Sequence, residues 1–416
     1  MEEKYKNKWQ TRLNKRTIKF KERKMTKKLI FLVSTVILAG MLLTACAPAA
    51  TAAPAPVAKE TPTIESKLPT EIVFGATLPL TGQGAPYGEL FKNGLTLGID
   101  RINNGGGING IKVKLIITDS RAEAEESVTQ FQKLVQVDKA VWVSTAFSAP
   151  PLAQAPIADQ TKTVLTNGGG FAPELRGAGK YLFNDVPLST DEGKVVLTYA
   201  YKDLGLKKLG LIIASSYSKA TYEFMETFWK NLGGQVVIEV RHDSGASDLR
   251  SQLELLKGAN PDAVLLLNDG DDTVLTLTQA EQVGFKPQWL GFAGHMIDQI
   301  LSLPGAQGMI ADSVVYEPDA DFVTAYKKAY GSDPNFYIAN YYDQTIMFEQ
   351  AVKYVLEHNQ EINGENLQSA LYAIRTFKGV NGTFTFLDDG TITRDMLVVK
   401  VVDGKQTTLK KIISGS

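Results

Sequence analysis

From Glu71 onward the chain alternates short apolar runs with longer stretches whose apolar residues recur at helical spacing, and this alternation constrains the fold more than any other feature. The run Glu71-Ile-Val-Phe-Gly-Ala-Thr-Leu78 stops at Pro79, and Leu90, Phe91, Leu95, Ile99 and Ile102 then share one face of a predicted helix. The next strand is expected at 112–118 and the next helix at 123–137. Further strands are predicted at 140–143, 163–166, 208–213, 235–240, 263–267 and 288–291, with helices such as 222–232 and 248–257 between them. Strands separated regularly by helices build parallel sheets covered on both faces. Ligands of such sheets sit on the loops that follow the carboxyl ends of strands.

Before Glu71 the composition changes. An uncharged, mainly apolar run at 29–43 follows Lys27 and Lys28 and precedes Cys46, the one cysteine of the 416 residues. A basic region, an apolar core and small residues before a cut describe a secretory signal. The run is also shorter than the roughly 20 residues that a spanning helix needs. Leu43-Thr44-Ala45-Cys46 resembles the bacterial lipoprotein box, which implies that Cys46 is alkylated with diacylglycerol and becomes the new N-terminus. Several acyl chains, at about 0.8 kcal/mol per buried methylene, anchor stably where one does not. Residues 1–45 are therefore expected to be a signal peptide, of ordinary size if translation begins at Met25. Residues 46–70 are expected to form a lipidated, Ala-, Pro- and Thr-rich tether. This places the protein outside the cytoplasm, on the outer face of the cytoplasmic membrane or the periplasmic side.

Charge is informative after that cut. Residues 1–45 hold 12 of the 44 basic residues and 3 of the 45 acidic ones, leaving 44 − 12 = 32 against 45 − 3 = 42. A net charge near −10 argues against nucleic acid and anionic lipid surfaces as partners. With no second cysteine, the mature chain has no disulfide, thiol chemistry or cysteine metal site. A body of about 345 residues exceeds one ordinary core and suggests two lobes.

The motifs for chemistry are weak. Gly105-Gly-Gly-Ile-Asn-Gly110 satisfies G-x-G-x-x-G, but a helix precedes it and a strand follows, the reverse of a dinucleotide site. The glycines are expected to end that helix in a left-handed cap. No nucleophile elbow, zinc-protease or phosphate-loop pattern accompanies His242, His295 and His358. His358 reads as a C-terminal cap or a surface residue. Asn268-Asp-Gly-Asp-Asp272 has the carboxylates of a calcium site. Its place after an apolar strand favours a cap by Asp271 or Asp272, which leaves Asp269 facing a ligand. An enzyme would need an acid–base pair such as Asp269 with His295. Asp388-Asp389-Gly390 is a hairpin turn signal.

Six segments in order carry a resemblance. They are Leu78-Pro-Leu-Thr-Gly82 with Gly88, Ile102-Asn-Asn-Gly-Gly-Gly-Ile-Asn-Gly110 with Asp119, and Ala172-Pro-Glu-Leu175. Phe322, Tyr326, Tyr330 and Pro334 follow, then Tyr342-Asp343, then Phe377-Lys-Gly-Val with Gly382, Phe386, Asp389 and Gly390. Over 72–404 the chain is similar to the extracytoplasmic solute-binding proteins of the branched-chain amino-acid type of ABC transporter. The resemblance implies an α/β protein of two doubly wound parallel-sheet lobes joined by a multi-segment hinge, the type 1 periplasmic-binding-protein fold. The expected lobes are 71–188 with 316–389, and 189–315 with 390–416. It further implies a monomer without cofactor or catalysis, taking a small-molecule ligand and delivering it to permease subunits. A ligand sensor serving a membrane receptor is the alternative, although no signalling domain is legible between Glu71 and Ser416.

Carried over residue by residue, the resemblance implies ligand contacts at Tyr87, at Phe147 or Ser148, and at Gly169 and Phe171. In the second lobe it implies Tyr217 and Asp269. The carboxylate-binding position falls on either Phe147 or Ser148. Two positions depart from amino-acid binders: Phe171 stands at or beside a threonine, and Ala293 where an acid pairs with the α-ammonium. An unpaired buried ammonium costs several kcal/mol. Either Asp269 supplies the missing anion, or the ligand has no ammonium and is an amide or aromatic compound. Phe147, Phe171, Phe292 and Tyr217 are expected to favour an apolar or aromatic body.

Overall fold

The computed structural model describes residues 68–82, 84–316 and 318–413. The expected signal peptide, Cys46 and most of the tether lie outside the described residues. A first sheet takes its strands from the N-terminal half: β1 (Glu71–Leu78), β2 (Lys112–Asp119), β3 (Trp142–Thr145), β4 (Val164–Asn167) and β5 (Leu182–Asn184). All neighbours are parallel, in the order β2-β1-β3-β4-β5. The chain then crosses to a second sheet and adds β6 (Lys208–Ala214), β7 (Gln235–His242), β8 (Ala263–Leu267), β9 (Gln288–Gly291) and β10 (Ile310–Val314). After returning to the first sheet's side it forms a small antiparallel sheet, β11 (Thr376–Gly379), β12 (Gly382–Phe386) and β13 (Ile392–Arg394). The last pair, β14 (Met396–Val402) and β15 (Lys405–Ile412), completes the second sheet in the order β15-β14-β10-β9-β8-β6-β7.

The parallel, doubly wound character predicted from the sequence is therefore present in both sheets, and the second carries an antiparallel edge in addition. That edge ends in Lys405–Ile412, whose three lysines and exposed side chains discourage pairing with another chain. Because Ile392–Arg394 still pairs with Gly382–Phe386, the chain re-enters the large sheet only at Met396, beyond the boundary at 390 suggested by the sequence.

Side-chain size sets how close the layers come. The helix Ala85–Asn104 crosses the helix Phe336–Glu357 at Gly94 and Gly98. A Cβ at Gly94 would strike the Ile338 carbonyl and one at Gly98 the Thr345 hydroxyl, so only glycine permits this approach. Beneath them Phe74, Trp142 and Phe348 pack ring against ring, with centroids 5.2 to 6.1 Å apart. The second sheet has its own core around Met225, Trp229, Leu265 and Phe292.

Buried polar side chains fasten the first sheet to the long helix. Gln344 accepts from Ser144 (2.6 Å) and Thr166 (2.8 Å), and donates to Asp185 (3.1 Å) in the first crossing segment. Arg394, in the last crossing segment, donates to the carbonyls of Val315 and Asn381. Among the described residues no helix is long and apolar enough to cross a membrane. Nor does any group of His, Cys, Asp and Glu among them suit a metal ion.

Candidate functional site

Loops from the carboxyl ends of both sheets meet around a cavity of about 260 Å³. The loop after β1 leads into the helix that carries Tyr87, the loop after β3 brings Phe147 and Ser148, and the loop after β4 brings Gly169 and Phe171. Across the cavity, Tyr217 follows β6 and Asp269 follows β8. All seven residues assigned to the ligand from the sequence thus line one cavity. A neighbouring cavity of about 290 Å³ shares Tyr87, Phe147, Ser148 and Asp269 and adds Asp271 and Asp272. A larger groove of about 780 Å³, near Arg241, His242 and Asp248, is built from the second sheet's side alone.

Hydrogen bonds preset these loops. Asp119 accepts from the amides of Leu80 (2.9 Å) and Arg121 (2.9 Å) and from the Thr81 hydroxyl (2.5 Å). Against its partial desolvation, these bonds hold its carboxyl below the usual range. The Tyr341 hydroxyl donates to the Thr145 carbonyl (2.8 Å) and holds the end of β3. Phe147 then sits at φ +62°, a strained conformation for a bulky residue and one found at ligand-binding turns. Ser148 Oγ accepts from the amides of Phe171 (3.2 Å) and Ala172 (3.1 Å). Its hydroxyl therefore ties two loops together and offers the cavity only its proton.

The aromatic walls support one another. Tyr87 meets Tyr337 edge-on at 5.5 Å and Phe147 edge-on at 6.0 Å, and Phe91 stacks on Tyr341 at 4.2 Å. Opposite them the Tyr217 hydroxyl donates to Asp269 Oδ1 (3.0 Å). Asp269 opens onto the cleft, yet protein surrounds it on the other sides. Burial pushes its pKa up, while nearby His295 and the Tyr217 hydroxyl act in the opposite direction. Burial and the adjacent Asp269 also push the Tyr217 phenol well up, so it remains a donor. The two sides touch where Ser218 Oγ donates to Glu174 Oε2 (3.0 Å).

Several expectations are corrected here. The helix Gly270–Gln282 begins before Thr273, with Asp269 itself at the cap position and no side-chain cap bond. Asp272 instead accepts from the Gly245 amide (2.9 Å). Phe292 is 3% exposed, packs in the second sheet's core and is not among the residues lining the cavity; its neighbour Ala293 is equally buried. His295 accepts from the Phe292 amide at Nδ1 (2.8 Å), which leaves its proton on Nε2, donated to the Asn268 carbonyl (2.7 Å). With both nitrogens engaged, it forms no acid–base pair with Asp269. The glycine run, by contrast, ends its helix as expected: Gly106, just past the cap residue Gly105, is left-handed, and the amides of Gly106 and Gly107 donate to the carbonyls of Asn103 (3.2 Å) and Ile102 (2.9 Å).

The structure also adds residues that the sequence did not single out, chiefly Phe91, Tyr337, Glu174 and Ser218. Glu174 lies inside a segment already noted for resemblance, and Ser218 follows Tyr217. Tyr337 sits in a predominantly apolar helix, where nothing in the periodicity separates it from core.

The chain matches the family described as "Periplasmic binding protein" over residues 71–406. It is 25% identical over 306 residues to the Leu/Ile/Val-binding protein homolog 7 of Brucella abortus, covering 67% of this chain and 76% of that one. Its fold is similar to that of a leucine-binding protein LivK from Thermotoga maritima: TM-score 0.75, 23% identity, 82% of this chain and 99% of that chain. It is also similar to a solute-binding protein of an ABC transporter from Rhodopseudomonas palustris in complex with 3,4-dihydroxybenzoic acid. There the TM-score is 0.74 at 21% identity, covering 83% and 98%.

Proposed function

The chain belongs to the periplasmic binding protein family, and from that premise we propose that it is the substrate-binding lipoprotein of an ABC importer. It captures a small solute, an amino acid or a related amide or aromatic compound, between two closing lobes and hands it to the permease. The observation that carries this reading is the meeting of loops from two separate sheets on one cavity walled by Tyr87, Phe147, Phe171 and Tyr217. The lobes are 71–188 with 316–389 and 189–315 with the last strands, hinged at the crossing segments. Tyr87, Phe147, Ser148, Gly169, Phe171, Tyr217 and Asp269 form the ligand site, and the protein acts as a monomer without catalysis.

A thermal-shift screen of the full chain against amino acids, small amides and aromatic compounds tests the capture role. A ligand that binds only the folded state adds about 2.7 kcal/mol at a hundredfold excess over Kd. At least one class is expected to raise the melting temperature; silence across the panel would refute capture. Deleting the protein should then abolish uptake of that solute. Intact uptake with a lost cellular response would favour the sensor.

Cys46 is the anchor. In Cys46→Ala the protein is expected in the soluble fraction or as the uncleaved precursor. A cut N-terminus with unchanged membrane partition, read by fractionation and mass spectrometry, would contradict the lipid attachment.

A further inference from the structure

The cleft between the two sheets is rich in acceptors and rings and poor in donors. Among the described residues lining its two cavities there is no Lys, Arg or His, whereas Asp269, Glu174, Asp271 and Asp272 all border it. Several of the backbone amides that could hold an anion are already engaged. Those of Phe171 and Ala172 donate to Ser148, that of Gly169 to Asn167 (3.3 Å) and that of Thr221 to Ser218 (3.3 Å). The helix Ala149–Thr161 points its first turn at the cavity, but Pro150 and Pro151 there carry no N–H. What remains, besides neutral hydroxyls, are first-turn amides such as those of Ala149 and of Gly270 and Asp271, and the last two stand beside the carboxylates of Asp269 and Asp271 themselves. A carboxylate enclosed here would face Asp269 with no cation to offset either charge, an arrangement that disfavours ionisation of both.

Acceptors, by contrast, are waiting. Asp269 Oδ1 accepts from Tyr217, and its Oδ2 accepts no hydrogen bond among the described residues. The rings of Tyr87, Phe147, Tyr217 and Tyr337 stand around the same cavity, and aromatic faces attract desolvated cations. We infer that the solute is a protonated amine on a small apolar or aromatic body, without a carboxylate of its own, its nitrogen seated on Asp269 within the aromatic walls. This rests on the capture function proposed above and narrows it to one charge class. The bound cation supplies Asp269 with the counter-charge that no residue lining the two cavities provides.

Two sets of three compounds test it with the full chain, by thermal shift and calorimetry. One set is phenethylamine, phenylalanine and 3-phenylpropanoate; the other is 3-methylbutylamine, leucine and 4-methylpentanoate. Within each set the amine lacks only the carboxylate of the amino acid, and the acid lacks only its ammonium. The amine is expected to bind at least about tenfold more tightly than its amino acid, and the acid not measurably. Asp269→Asn should weaken the amine at least about tenfold, whereas Glu254→Gln, the same change of charge on an exposed helix position that lines neither cavity, should retain binding. Tighter binding by the amino acid or the acid overturns this inference and leaves solute capture standing. No shift with any of the six, or with the wider panel above, overturns both.

Discussion

Raising the pH from about 5.5 to about 7.5 is expected to destabilise the protein by on the order of 2 to 3 kcal/mol through one buried pair, Glu192 and Asp312. Glu192 lies in the helix Ser189–Lys202, where the chain enters the second sheet, and Asp312 in β10, just before the chain leaves it. Both are almost inaccessible to solvent. Glu192 Oε1 and both Asp312 oxygens make no well-formed hydrogen bond among the described residues, and the nearby Ala293 amide offsets the burial of Asp312 only in part. Two ionised carboxylates cannot satisfy one another, but a proton on either supplies the missing donor.

Burial raises both groups, Asp312 to about 8, and for Glu192 the charges of Asp312, Asp269 and Asp191 add to the effect. Folded-state values above the unfolded ones mean that the native protein holds the extra proton. Stability is then full below the unfolded pKa, near 4, and is lost as pH rises through the folded value. Asp343, raised by burial to about 7, contributes a slope of the same sign, so the test is a difference between proteins. Asp312→Asn places an amide donor beside Glu192 and should flatten much of the slope in denaturant melts across this range. Equal slopes in the two proteins would mean that the pair does not share a proton.

Gly170→Ala is expected to cost at least about tenfold in affinity for any captured solute, with about 1 to 3 kcal/mol of stability lost to overpacking. The new methyl would land on the Phe147 carbonyl oxygen, well inside contact distance. That carbonyl belongs to a residue already held at positive φ, and the adjacent Ser148 clamps the Phe171 and Ala172 amides. Relief of the clash therefore has to separate the two loops that wall the cavity. Gly258→Ala is the control, since a Cβ there meets nothing within 4 Å and alanine favours the helix Arg250–Ala259. Calorimetric titration of both variants reads the difference. Wild-type affinity in Gly170→Ala would show that the loops yield without reshaping the site.

Much of the fold is legible because apolar periodicity reports local burial. Ala263–Leu267 and Gln288–Gly291 coincide with their predicted strands. Ile310–Val314 escaped prediction because Asp312 and Ser313 interrupt its apolar pattern, and the burial of Asp312 beside Glu192 depends on a helix more than a hundred residues earlier. Leu182–Asn184 is too short to show a period.

The site divides in the same way. Asp269, Tyr217 and the loop residues of the first sheet lie directly after strands, where position along the chain already implies a ligand-facing loop. The sequence by itself determined the sheet-and-helix order and which loops lie at the carboxyl ends of strands, because those properties depend on neighbours a few residues away. Only the tertiary structure decided that Tyr337 joins them, that Phe292 turns into the core, that Ser148 binds loops together, and that acids gather at cavities whose described lining holds no Lys, Arg or His. Those outcomes depend on which distant segments are brought into contact by three chain crossings and by two helices packed closely at Gly94 and Gly98, and local periodicity does not encode that contact.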